Sequence, residues 1–213
     1  MTFRIEKILG LISPCKTFVD VGCDHGYVTK AVIDKGLCER AIITDISEKC
    51  LNKARRLLSK EIENGSVVSV VTDGLKGVKD ADQVLIAGMG GEEIVKIICE
   101  SAFLPEKLVL QPMKNTKKVR LTLLEKGYKL EKDFVFYSGR KYYDLILAVR
   151  GEDSYTEEEL EFGRTNLIER SQDFKRRIRE ELEKINGYLG CGNLSSSSQQ
   201  IFRKEIEKLE RYL

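Results

Sequence analysis

Short runs of β-branched and other apolar residues alternate with amphipathic stretches from Arg4 to about Arg150. The first five runs are residues 17–21 (TFVDV), 41–45 (AIITD), 67–71 (VVSVV), 83–87 (QVLIA) and 107–111 (KLVLQ). This alternation predicts strands joined by helices, and so a parallel sheet covered by helices. After the second run, Cys50, Leu51, Ala54, Leu57 and Leu58 recur at helical spacing behind Ser47, a residue suited to capping. Two further runs, 133–137 (DFVFY) and 143–149 (YDLILAV), are separated only by SGRKY and predict an antiparallel hairpin at the end of the sheet. Beyond Gly151 the pattern changes. TEEE at 156–159 has the form of a capping box, and Leu160, Leu167, Phe174, Ile178, Leu182, Ile185 and Leu189 follow on a charged background. These predict one long helix. GCGNLSSSS at 190–198 interrupts it, and Ile201, Ile206, Leu209 and Leu213 predict a second helix returning alongside. The expected organisation is an α/β domain over residues 1–150 and a coiled-coil-like helical hairpin over 151–213. Such a hairpin serves either as a spacer or dimerisation element, or as an arm that grips a large substrate.

Composition narrows the class. A chain of 213 residues with 42% hydrophobic content can bury a full α/β core. No apolar run approaches the roughly 20 residues of a membrane span, and MTFRIEKIL has no basic segment leading into a sustained apolar one, so a cytoplasmic location is expected. Six cysteines lie scattered without C-x-x-C spacing, and there is a single histidine; free thiols are expected, and no metal site. The net charge of +2 divides unevenly. Residues 1–150 carry 25 Lys and Arg against 20 Asp and Glu, while residues 151–213 carry 11 against 14. An anionic partner therefore docks most naturally on the first part.

The candidate chemistry lies where the strands end. DVGCDHGY, residues 20–27, follows the first run and holds the only histidine, with Gly22 and Gly26 spaced G-x-x-x-G around Asp24 and His25. This is not the G-x-G-x-x-G of dinucleotide enzymes, and acids in the loop favour a cationic or hydroxyl-bearing ligand over a pyrophosphate. Asp45 ends the second run, where nucleoside-binding sheets place a carboxylate on ribose hydroxyls. Asp73, in TDGL, follows the third. Any one aspartate could simply cap a helix; Asp20, Asp45 and Asp73 at three successive strand ends point to a ligand. Ile46, Gly74 and the turn AGMGGEEI, with Gly88, Met89 and Gly90, complete the candidate cofactor wall. QPMKN at 111–115 brings Gln111 and Asn115 amides beside a turn stiffened by Pro112.

In this order, DVGCDHGY, TDGL, IAGMGG, LQP and RKYY (140–143) resemble the bacterial tRNA (adenine-N1)-methyltransferases that modify adenine 22, the TrmK family. The resemblance covers about residues 4–150; Cys23 and Gly26 stand where the family has serine and alanine. It implies a class I, Rossmann-like methyltransferase fold with a mostly parallel seven-stranded sheet, S-adenosyl-L-methionine as cofactor and tRNA as substrate. The oligomeric state, monomer or homodimer, is left open. Adenine N1 carries its own lone pair, so such an enzyme mainly aligns the reactants and excludes water. Asp24 and His25 are the candidates to orient the acceptor base, with Gln111 and Tyr143 beside them; a purely structural His25 is the competing reading. A base turned out of its stack needs a flat wall, for which Tyr142 and Tyr143 are candidates and Tyr27 a weaker one. Lys114, Lys117, Lys118, Arg120, Arg140 and Lys141 would hold phosphates. The alternatives are a different methyl acceptor, whether another RNA position or no RNA at all, and a non-catalytic RNA-binding protein with a nucleoside pocket. AGMGG in place of an Asn/Asp-Pro-Pro-Tyr/Phe motif argues against exocyclic-amine methylation.

Overall fold

The structure, a computed structural model, describes residues 1–191 and 194–213. Seven strands form one sheet: β1 (Cys15–Val21), β2 (Cys38–Asp45), β3 (Val67–Val71), β4 (Gln83–Met89), β5 (Lys107–Pro112), β6 (Tyr128–Ser138) and β7 (Lys141–Arg150). Their order is β3-β2-β1-β4-β5-β7-β6. The first five pair in parallel, and β7 runs antiparallel to both β5 and β6. Every strand expected from the apolar runs is present.

Burial explains why the central runs are continuously apolar. Val84 and Ile86 of β4 enter one core layer and Leu85 the other; Leu108 and Leu110 of β5 are likewise opposed by Val109. A parallel strand covered on both faces has no solvent face to mark with polar residues. Helices α1 (Phe3–Leu9), α2 (Tyr27–Asp34) and α3 (Glu48–Leu57), with the short α4 (Ser59–Glu63), lie on one side; α5 (Gly91–Glu100) and α6 (Thr116–Glu125) lie on the other. Ser47 caps α3 as expected, its hydroxyl accepting from the Cys50 amide. The β6–β7 turn is tighter than SGRKY suggested. Gly139 and Arg140 both have positive φ, 56° and 65°, the pair of left-handed residues that a two-residue hairpin of matching twist requires. Lys141 and Tyr142 therefore belong to β7. Since β5 pairs with β7 only from Leu110 opposite Ile146 downward, the hairpin tip overhangs the carboxyl edge of the sheet.

The long C-terminal helix expected from periodicity is three helices, α7 (Glu157–Phe162), α8 (Arg164–Glu169) and α9 (Gln172–Gly190). The Thr156–Glu159 capping box opens α7. Gly163 then breaks the run at φ 86°, where an added Cβ would stand 2.8 Å from the Asp133 carbonyl and 2.9 Å from the Arg120 guanidinium. A second left-handed residue, Arg170, ends α8, and the Ser171 hydroxyl starts α9. Tertiary contact with β6, rather than local propensity, sets these breaks. Phe174, Ile178, Leu182 and Ile185 of α9 share a third core with Val135 of β6 and with Leu209 and Tyr212 at the end of the chain; α10 (Ser196–Glu210) packs on α9. Gly192 and Asn193, within the expected 190–198 break, lie outside the described residues.

Arg120 joins these layers. It is 1% exposed and forms two hydrogen bonds to Asp133, at 2.7 and 2.9 Å, while its remaining nitrogen donates to the carbonyls of Leu160 and Glu161 at the end of α7. Burial raises the Asp133 carboxyl and Arg120 opposes that rise; held by this many acceptors, the guanidinium keeps its charge. Arg120 is thus not a phosphate-binding surface residue. The hydrophobic stripe of α6 turns it inward, where it binds the last carbonyls of α7.

Candidate functional site

The turns after β1, β2, β3 and β4 enclose a pocket of about 450 Å³ at the carboxyl edge of the sheet, the position where open α/β folds bind ligands. Eleven residues anticipated from the sequence line it: Asp20, Gly22, Asp24, His25, Tyr27, Asp45, Ile46, Asp73, Gly74, Gly88 and Met89. Gly22 is required twice over. Its φ is +68°, and a Cβ would lie 2.0 Å from the Met89 terminal methyl.

The three carboxylates differ in state. Asp20 is buried and accepts from the Thr29 hydroxyl at 2.7 Å. Burial pushes its pKa up to about 6, against the pull of Thr29 and Arg4. Asp45 accepts from the Ser47 amide at 2.8 Å, which turns the carboxylate at the end of β2 beside an Ile46 that is 75% exposed. Asp73 is drawn below the usual carboxylate range by hydrogen bonds from Lys76 and Lys96.

At the mouth, Asp24 adopts a left-handed conformation (φ 45°) unusual for a residue with a side chain. His25 Nε2 lies 3.6 Å from Asp24 Oδ2, and the imidazole stacks on the Tyr27 ring at 5.5 Å with 12° between planes. Lys53 of α3 places its ammonium 3.4 Å from both Asp24 Oδ1 and His25 Nε2. Tyr27 is 58% exposed and lines the pocket, so the flat surface at the mouth is Tyr27. Tyr142 faces away. It packs against Tyr137 and the α9 core, its hydroxyl buried without a hydrogen-bond partner among the described residues.

Arg4 of α1 was not anticipated. It lines the pocket, donates Nε to the buried Gln111 side chain at 2.6 Å and lies over the Tyr143 ring at 5.6 Å. Gln111 and Tyr143 thus meet the pocket through Arg4, and Tyr143 itself stacks on Phe136. No local spacing marks Arg4; only the docking of α1 across the sheet brings it there. Thr44 is a further wall residue without a sequence signal, and Thr72 and Glu93 join the wall from within TDGL and AGMGGEEI.

Other assigned residues sit behind or beside the wall. Gly26 begins α2 at φ +74° and packs on Ala54 and Leu58, and Gly90 is the residue before α5. Lys114 lies against Gly90, and Asn115, left-handed at the start of α6, donates to Glu92. Lys117 is paired with Glu157 and Lys118 with Glu92, while Arg140 and Lys141 stand exposed at the hairpin tip. Half of the expected phosphate cluster is therefore engaged, Lys117 and Lys118 by surface acids and Arg120 by the buried Asp133, while Lys114, Arg140 and Lys141 are exposed.

A family model described as a methyltransferase domain matches residues 1–146. The chain belongs to this methyltransferase family. Its fold is class I and Rossmann-like, with the mostly parallel seven-stranded sheet. The methyltransferase chain is 29% identical over 170 residues to a Mycoplasma pneumoniae protein provisionally named a tRNA methyltransferase, covering 76% of this chain and 79% of that one. It is 27% identical over 154 residues to the tRNA (adenine(22)-N(1))-methyltransferase of Bacillus subtilis, covering 70% of this chain and 65% of that one. Among solved structures, TrmK of M. capricolum in complex with S-adenosyl-homocysteine superposes with a TM-score of 0.87 at 22% identity, covering 100% of this methyltransferase and 97% of that chain.

Proposed function

We propose that the chain is an S-adenosyl-L-methionine-dependent methyltransferase that methylates N1 of adenine 22 in tRNA. The observation that carries this reading is the convergence of three strand-end carboxylates on one pocket whose mouth presents the Asp24–His25 pair and an exposed tyrosine. The B. subtilis relative supports the acceptor and the M. capricolum structure supports the cofactor.

The pocket fits the cofactor by its own chemistry. Asp45 is set for ribose hydroxyls, Ile46 offers an apolar face for a base, and Gly22 and Gly74 keep the floor free of side chains. Asp20, partly protonated near pH 6, is set to meet a cationic group. When bound, the cofactor would supply a methyl group on a sulfonium, open to displacement by the lone pair of adenine N1 with S-adenosylhomocysteine as the leaving group.

The chain's residues position and shield. Tyr27, backed by His25, stacks the extruded base. Asp24 accepts from its N6 amino group, which increases electron density at N1, and favours the cationic product. Arg4 fixes the Gln111 amide and closes the far side beside Gly88. The division at residue 150 is one of labour: residues 1–150 hold cofactor and base, and the C-terminal helices, as a coiled-coil-like hairpin, help grip the tRNA.

The test is transfer from labelled cofactor to an unmodified tRNA transcript, with mass spectrometry of the digested nucleosides. 1-Methyladenosine is expected, and its absence when adenine 22 is changed to guanine. Cofactor binding with methylation elsewhere, or none, overturns the assignment of acceptor.

A further inference from the structure

Of the six cations assigned to phosphate from sequence, Lys117, Lys118 and Arg120 are engaged by acids and Lys114, Arg140 and Lys141 are exposed; a further basic stretch stands beside the pocket. Residues 51–60, LNKARRLLSK, hold four cations and no acid. Apart from Lys60 they belong to α3, whose buried face is Leu51 and Ala54. Lys49, Lys53 and Arg56 follow at spacings of four and three, which at about 100° per residue puts them within an arc of about 60° on the opposite, exposed face. Lys49 and Arg56 have no ion pair among the described residues. The neighbouring acid, Glu48, is engaged by Arg55, which also bonds Asn52 and Ser69. Lys53 reaches the pocket mouth, its ammonium 3.4 Å from Asp24 and 3.4 Å from His25.

We propose that the outer face of α3 is a phosphate-binding ridge for the RNA substrate, with Lys53 at its pocket end. This rests on the tRNA reading above and specifies where the backbone runs. A nucleotide entering the mouth carries a phosphate on each side. Lys114, exposed beside Gly90, stands near one side of the pocket, and Lys53 stands at the other. From Lys53 the ridge continues along α3 through Arg56 and Lys49, so the strand leaving the pocket follows α3 on that side. Lys49 and Arg56, with no ion pair among the described residues, match a backbone better than Lys117 and Lys118, which are tied to Glu157 and Glu92.

The experiment measures binding of an unmodified tRNA transcript across a salt series for the wild type and for the Lys49→Gln/Arg56→Gln double variant. Glutamine keeps helix propensity and leaves Lys53 in place. The expected result is a dissociation constant raised about tenfold near 0.1 M salt and a log–log salt slope reduced by about 2, one for each lost phosphate contact. S-adenosylhomocysteine affinity, measured by calorimetry on the same preparations, shows that the variant is folded. An unchanged slope in a variant that still binds S-adenosylhomocysteine overturns the ridge alone. A wild type that binds S-adenosylhomocysteine but no tRNA overturns the ridge and the tRNA reading together.

Discussion

Asp20 is buried with one hydroxyl partner, and its proton is held up to about pH 6. The folded carboxyl binds its proton more tightly than an unfolded one. The unfolded state therefore ionises first as pH rises from about 4, and stability falls through the window from about 4 to about 6. Asp20→Asn, which keeps an oxygen for Thr29, should melt higher than the wild type at pH 7 when empty. Ligand binding has the opposite dependence. If the carboxylate meets the cationic end of the ligand, S-adenosylhomocysteine affinity should weaken by up to about tenfold per pH unit below about 6 and flatten in Asp20→Asn. A flat wild-type profile in calorimetry would remove Asp20 from cofactor recognition. At the mouth, Asp24→Ala and His25→Ala should keep S-adenosylhomocysteine affinity and lose most turnover; an equal loss of both would make the pair structural. The residues legible in the sequence were those whose roles follow from strand ends, such as Asp45 and Asp73. Arg4 was not, because its neighbours Gln111 and Tyr143 are more than 100 positions away.

Among elements, the strands were readable because burial on both faces leaves uninterrupted apolar runs. The helices after residue 156 were not, since the breaks at Gly163 and Arg170 answer to β6 rather than to their own segment. The Arg120–Asp133 pair is the clearest case. An arginine in TKKVRLTLLE looks like one more surface cation until its partner, 13 positions on, is placed against it. Removing that partner leaves a buried charge without its counter-charge and with only the two α7 carbonyls as acceptors. Asp133→Ala should cost about 3–5 kcal/mol in urea unfolding, well beyond any surface pair here. Gly163→Ala should also destabilise, through both its φ and the contact at 2.8 Å. A loss under about 1 kcal/mol for Asp133→Ala would mean that α7 carbonyls alone satisfy the guanidinium.

At the scale of the whole molecule, the net charge of +2 conceals a basic half that holds the pocket and an acidic half that follows it. Within the basic half, Lys117, Lys118 and Arg120 are engaged by acids, and exposed cations stand on α3, at Lys114 and at the hairpin tip. The C-terminal segment is joined to the sheet by more than apolar contact: the Asn166 and Thr165 side chains accept from the amides of Val135 and Asp133 on β6. Residues 1–150 expressed alone should therefore show no cooperative thermal transition at a temperature where the full chain is folded, as read by circular dichroism. A sharp, unchanged melt would establish an autonomous first domain.

The two carbonyls that Arg120 binds at the end of α7 also bear on the order of synthesis. A chain leaving the ribosome exposes residue 120 well before residues 160 and 161, and at roughly 5–20 residues per second the interval lasts seconds. During that interval the arginine has Asp133 at most, and the outer edge of the sheet has no cover. Completion of the Arg120 contacts thus waits on translation of the segment behind it. A segment exchanged for the C-terminal helices would have to supply matching carbonyls, a glycine at the break and both side-chain acceptors for the β6 amides.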